Sequence, residues 1–380
     1  MLAAPAGAQT LVTLTTTSRF VEPAKLQFNA PPCNGAARPN ALRVNVLLPD
    51  GYGTTRNERW PVLYLLHGHG DAYDAWAAPC DGDVQQIARG FPGIIVMPEA
   101  AQGWYADWWN GGQRSDPAWE RYYADELIPL IAKRFRIRPE RRYHAIAGLS
   151  MGGEGAVYLA EQLPGYFGSV ASFSGPLSIQ RVEYANGGMD TQGQKFGDVF
   201  GAPDGFYATA HNPMANVANL TATRTFVTVG NGVGSPDEAT NYFGAVAEAE
   251  LHQQADDFVN AARTAGVDVT YQPRDGIHAW RYWRRHLAAA LQWGFFKPVA
   301  SSSTTWTERT ASQTGNAWGF RWRFAQPPTE LITFKRDGGT IAATGSGTVT
   351  VTAPNGARFT ETLPFERPIP RRQKRLRSST

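Results

Sequence analysis

Gly148-Leu149-Ser150-Met151-Gly152 sets a serine among small neighbours in the pattern G-x-S-x-G. Tyr143-His144-Ala145-Ile146-Ala147 before it reads as a buried strand, and Gly153-Glu154-Gly155-Ala156-Val157-Tyr158-Leu159 after it begins a helix. A sharp strand-to-helix turn tolerates only small flanking residues. It lifts the serine hydroxyl to the carboxyl edge of a sheet and aims the first helical N–H, that of Met151, at an oxyanion forming on a substrate carbonyl. Such a serine becomes nucleophilic only when a base takes its proton. His278, in Asp275-Gly276-Ile277-His278-Ala279-Trp280 just after a strand-like run, is placed for that work. His252 and His286 fall inside helical patterns, and His211 precedes Asn212-Pro213 in a loop.

A second oxyanion donor belongs on the loop after an earlier strand, and Tyr64-Leu65-Leu66-His67-Gly68-His69-Gly70 supplies it through the His69 backbone N–H. His67-Gly68-His69-Gly70-Asp71 also has the H-x-H-x-D form of metallohydrolases, but Ala72 stands where that motif continues with histidine. Serine chemistry calls for no metal and no cofactor. The acid that orients His278 is less determined. A carboxylate is expected after the strand Arg224–Gly232, which nominates Asp237 or Glu238, while the next helix carries Glu248 and Glu250. Spacing alone does not choose.

These residues need a scaffold. Apolar runs at 61–68, 93–100, 143–150, 168–175 and 224–232 alternate with amphipathic stretches, which implies an α/β fold with a mostly parallel sheet covered on both faces. Residues 1–40 read as an export remnant and β-rich lead-in, 41–298 as the catalytic domain, and 299–311 as a Ser/Thr-rich linker. Period-two alternation with Asp337-Gly338-Gly339 and Pro354-Asn355-Gly356 turns makes 312–366 a small antiparallel β module. Residues 367–380 form a basic tail.

Composition limits the partners. With 42% hydrophobic and 12% aromatic residues there is ample core, and no apolar run approaches the roughly 18 residues of a membrane span. The net charge of +3 comes from five cations in the last ten residues, and removing those five leaves −2, so no nucleic-acid-binding face is indicated. The oligomeric state is not legible; the partner is a small or polymeric ester. The start, MLAAPAGAQT, resembles the end of a signal peptide. Export to the medium or cell envelope would let Cys33 and Cys80 pair, a link of roughly 4 kcal/mol in the chain-entropy model. Trp104, Tyr105, Trp108 and Trp109 crowd one loop around Asp107 and are expected to rim the substrate site. Trp280 and Trp283 follow His278 closely enough to wall it, His67 is a further substrate contact, and 181–216 reads as a flap.

Taken together, YLLHG, the Trp104–Trp109 segment, GLSMGG and His278-Ala279-Trp280-Arg281-Tyr282-Trp283 resemble the esterase-D-like α/β-hydrolase superfamily over residues 41–298. This superfamily holds secreted mycolyltransferases, S-formylglutathione hydrolases and feruloyl esterases. The resemblance implies a serine carboxylic-ester hydrolase working through an acyl-enzyme on Ser150, with an acyltransferase to a sugar hydroxyl as the alternative. In the mycolyltransferase branch the acid is a glutamate ten positions ahead of a helix aromatic. Matched to Phe258, this implies Glu248 rather than Asp237. That branch carries an Asp-Gly pair followed by Leu and Arg where this chain has His67-Gly68-His69-Gly70. The Asp and Arg help hold the sugar, so their replacement favours hydrolysis.

Overall fold

The computed structural model describes residues 8–370 apart from 27, 30, 36–39, 182–193 and 239. The expected leader, most of the basic tail and part of the expected flap therefore lie outside the described residues. Eight strands form the main sheet: β1 (Thr10–Thr16), β2 (Leu42–Leu48), β3 (Val62–Leu66), β4 (Ile94–Pro98), β5 (His144–Leu149), β6 (Ser169–Phe173), β7 (Arg224–Thr228) and β8 (Val269–Tyr271), in the order β1-β2-β4-β3-β5-β6-β7-β8. β1 and β2 are antiparallel, and every pair from β4 to β8 is parallel. All residues of β3, β4, β5 and β6 are buried, as continuous apolar runs covered on both faces must be.

The helices are α1 (Val84–Ile87), α2 (Trp119–Arg121), α3 (Ile128–Arg134), α4 (Met151–Gln162), α5 (Phe196–Phe200), α6 (Phe206–Ala210), α7 (Pro213–Asn216), α8 (Tyr242–Thr264) and α9 (Trp280–Trp293). A π-helical stretch, Tyr122–Leu127, joins α2 to α3 just before Pro129, whose missing N–H interrupts regular α-helical bonding. One core cluster holds α4, α8 and the α2–α3 segment against one face of the sheet. The other holds α1, α9 and Trp76 against the opposite face. This is an α/β-hydrolase architecture.

Strand register decides where the chemistry gathers. Leu66 pairs with Gly148, Leu149 with Phe173, Phe173 with Thr228, and Val227 with Tyr271. The carboxyl ends of β3, β5, β6, β7 and β8 are thus level, and the loops that leave them share one edge of the sheet.

Beyond α9, two four-stranded antiparallel sheets pack face to face. One is β10 (Thr314–Ala317), β11 (Phe320–Phe324), β14 (Thr348–Thr352) and β15 (Arg358–Thr362). The other is β16 (Phe365–Pro368), β13 (Thr340–Thr344), β12 (Ile332–Asp337) and β9 (Thr305–Thr310). Their inner side chains, with Trp322 4.8 Å from Phe334 between ring centres, form a separate core. The stretch expected as an open linker contains β9: Trp306, Glu308 and Thr310 point inward in strict alternation, and β-branched threonines suit that pleat.

Candidate active site

Ser150 occupies the turn between β5 and α4 with φ 50° and ψ −123°, a conformation L residues rarely adopt. The flanking glycines are sterically required. A Cβ on Gly148 would lie 2.1 Å from the Gly152 carbonyl oxygen, and one on Gly152 would lie 2.4 Å from that of His67. Ser150 Oγ is 2.8 Å from His278 Nε2, and His278 Nδ1 is 2.7 Å from Glu248 Oε2. The three side chains form one hydrogen-bonded line, brought together from β5–α4, the loop before α9, and α8. Glu248 is fully buried. Its other oxygen, Oε1, accepts the Ser174 hydroxyl and the Gly230 N–H, both at 2.6 Å. Burial alone would raise this carboxyl. The hydrogen bond and charge of His278, helped by Ser174 and Gly230, outweigh burial and hold it below the usual range.

Asp237 is elsewhere. It lies on the exposed surface, paired with Arg281 at 3.1 Å, and Glu238 beside it bonds Ser235 and Tyr282. Met151 opens α4, so its N–H has no partner within the helix. A Cβ on Gly68 would sit 3.3 Å from Ser150 Cβ, which brings the His67–Gly70 loop, and with it the His69 backbone, alongside the serine.

The aromatic residues divide. Trp283 stands edge-on to His278 with ring centres 4.8 Å apart and donates through Nε1 to Ser174 Oγ at 3.3 Å. Trp280 packs between Trp76 and Trp283 and hydrogen-bonds Asp71, whose carboxyl is pushed up to about 7 by burial. Trp104 and Tyr105, expected at a rim, belong to the core. Trp104 packs edge-on to Phe200, and the Tyr105 hydroxyl donates to the His67 carbonyl. The loop folds inward because rings of this size bury more than 150 Å² each. Trp108 is half-buried and lines a cleft of about 450 Å³ together with Gln102, Asn110 and Gln194.

His67 is also internal rather than open to a substrate. Its Nδ1 faces the Gly68 carbonyl, and its Nε2 lies 3.0 Å from the Ala100 nitrogen and 3.4 Å from Glu99 Oε1. Burial pulls its pKa down, but Glu99 and the Gly68 carbonyl raise it above the ordinary value. The His69 ring turns the other way, toward Gln194 Oε1 at 2.5 Å, and Gln194 in turn donates to Gln102.

A family model described as putative esterase matches residues 36–293. The chain belongs to this esterase family. Esterase Rv1288 of Mycobacterium tuberculosis is 35% identical over 248 residues, covering 63% of this chain and 52% of that protein. The diacylglycerol acyltransferase/mycolyltransferase Ag85B of Mycobacterium leprae is 29% identical over 244 residues, covering 60% of this chain and 73% of the other. This family member spans about half the length of the first of these relatives. Among solved structures, a ferulic acid esterase superposes with a TM-score of 0.56 at 23% identity, covering 76% of this chain and 98% of that one. Two groups around the site were not anticipated from the sequence. Ser174 and the Gly230 N–H hold Glu248, and Glu99 backs His67. Ser174 has a positive φ of 52° at the end of β6, but a Ser-Gly pair there carries no distinguishing local pattern.

Proposed function

We propose that this esterase-family protein is a serine carboxylic-ester hydrolase. The observation that carries the proposal is the unbroken line Ser150 Oγ, His278 Nε2, His278 Nδ1, Glu248 Oε2 at 2.8 and 2.7 Å, ending in a buried carboxylate held by two further donors. Ser150 Oγ attacks the ester carbonyl while His278 Nε2 takes its proton. Glu248 fixes the tautomer with the proton on Nδ1 and stabilises the imidazolium. The tetrahedral oxyanion lies between the Met151 and His69 N–H groups. Collapse breaks the C–O bond to the alcohol, which leaves with the proton from His278. Water, deprotonated by the same nitrogen, then cleaves the acyl-serine.

The mycolyltransferase relatives favour a second reading, in which a sugar hydroxyl replaces water in the last step. The inward-facing His67 side chain and the lack of any side chain on Gly70 leave this loop with little to grip a sugar, which supports water as the acceptor. The Cys33–Cys80 disulfide supports work outside the reducing cytoplasm. The test is product analysis by mass spectrometry with p-nitrophenyl esters from acetate to palmitate, with and without trehalose, beside a Ser150→Ala control. Free acid throughout is expected. Acyl-trehalose would establish the transferase instead, and equal turnover by Ser150→Ala would remove both readings.

A further inference from the structure

α8 buries Glu248 on one face, but its first turn presents apolar side chains to solvent. Tyr242, Phe243 and Val246 are 75%, 69% and 71% exposed, and Val233 in the preceding loop is 60% exposed. Gly232, next to Val233, lies against Ala245 and Ala249 of α8, so loop and helix present one surface. Leu11, on edge strand β1, is the only other exposed large apolar side chain among the described residues, and at 37% it is far less exposed. The patch adjoins the proposed chemistry. The Gly244 carbonyl, beside Phe243, accepts the His278 backbone N–H at 3.0 Å, and Glu248 is two residues beyond Val246.

Scattered exposed apolar residues are ordinary, but a contiguous group on an otherwise polar surface marks something that covers it. Two features choose the occupant. Residues 239–247 contain no charged side chain, and the flanking Arg281 is taken up by Asp237 at 3.1 Å and Glu238 at 3.9 Å, so this cation is not held out for an anionic headgroup. The side chains also project rather than line a groove. One acyl chain laid across them would leave most of their surface wet, whereas an apolar phase covers all four together.

We propose that this patch docks the protein on the surface of a neutral, aggregated ester, a droplet or micelle of water-insoluble acyl esters, so that Ser150 meets carbonyls presented from that surface. The proposal rests on the serine-esterase reading only for the nature of the substrate.

The test separates docking from turnover. Ser150→Ala protein is mixed with triolein droplets and recovered by flotation. Adding Phe243→Ser and Val246→Ser should lower the droplet-bound fraction about tenfold, and Val233→Ser, which lies off the helix, should lower it severalfold. With Ser150 intact, the same substitutions should slow hydrolysis of emulsified tributyrin about tenfold and leave dissolved p-nitrophenyl butyrate within about twofold. If the helix substitutions slow the dissolved ester as well, flotation of the Val233→Ser variant alone decides, and unchanged recovery overturns the proposal. A parent that stays in the aqueous layer also overturns it, as does one that binds only anionic vesicles, or a parent dimer that Val233→Ser converts to monomer. Failure of the wild type to cleave p-nitrophenyl butyrate would sink the esterase reading while leaving the flotation result to stand by itself.

Discussion

Glu248 uses its two oxygens differently: Oε2 faces His278, and Oε1 is held by Ser174 and Gly230. Glu248→Gln keeps the shape but removes the charge that supports an imidazolium, and its turnover should fall by about 10³–10⁴, as losses of orienting acids do. Asp237→Asn touches only an exposed pair with Arg281 and should stay within about twofold. The reverse ranking in steady-state kinetics would return the acid to the loop after β7. Ser174→Ala removes one donor that lowers the Glu248 carboxyl. Its pKa then rises, so the acid limb of the pH–rate profile should move to higher pH while KM stays unchanged. A profile superimposable on wild type would show that Ser174 does not position the acid.

At the scale of elements, the strained turn at Ser150 exists because its neighbours have no side chains. In Gly152→Ala the new methyl would meet the His67 carbonyl oxygen, a backbone atom that cannot swing aside. The variant should lose about 1–3 kcal/mol of stability, read as a lower midpoint in urea. An unchanged midpoint would mean that the β3 loop yields more easily than its packing implies. Another element-level constraint is covalent. Cys33 and Cys80 close a span of 47 residues, tying the segment before β2 to the approach to α1. Chain entropy assigns such a closure about 4 kcal/mol. Cys33→Ser with Cys80→Ser should therefore melt well below the parent in calorimetry, and the parent in reductant should match it.

Across the whole molecule, three carboxyl groups gather where the β sandwich meets the hydrolase core, Glu120 on α2, Glu161 on α4 and Glu308 on β9, and a fourth, Glu154, is buried about two turns before Glu161 on α4. Glu120 accepts from the Tyr158 and Ser312 hydroxyls, while the carboxyl oxygens of the other three have no hydrogen-bond partner among the described residues. Burial pushes Glu120 up to about 7 and the other three well above the usual carboxyl range; Glu154 and Glu308 raise Glu161 further, and Glu120 raises Glu308. The folded protein therefore keeps protons that the unfolded chain releases near its ordinary value of about 4.3. Stability from these groups is complete below that value and is lost as pH rises through the folded-state values. Buried His211 and His286, held down to about 4, act in the opposite direction over this window, so the comparison is with Glu308→Gln: the Tm of wild type relative to that variant should fall from pH 5 to pH 8. A difference that does not change over this range would show Glu308 ionised in the folded protein.

Much of this was legible locally. The strained strand-to-helix turn at Ser150 was readable from its neighbours, since only glycines fit beside it. The parallel sheet followed from apolar runs too continuous to leave a wet face, and a small antiparallel β module from period-two alternation, whereas its two facing sheets and the inclusion of β9 did not. Proximity across the chain was not legible. Asp237 and Glu248 are equivalent carboxylates by composition, and the level carboxyl ends of β3 to β8, with the path of α8, decide which one reaches His278. Trp104 and Trp108 share one loop and one chemistry, yet the fold buries the first in the core and leaves the second on a cleft. Residue type fixes what a side chain is able to do; register and packing over long sequence separations fix what it meets, and no local pattern encodes that.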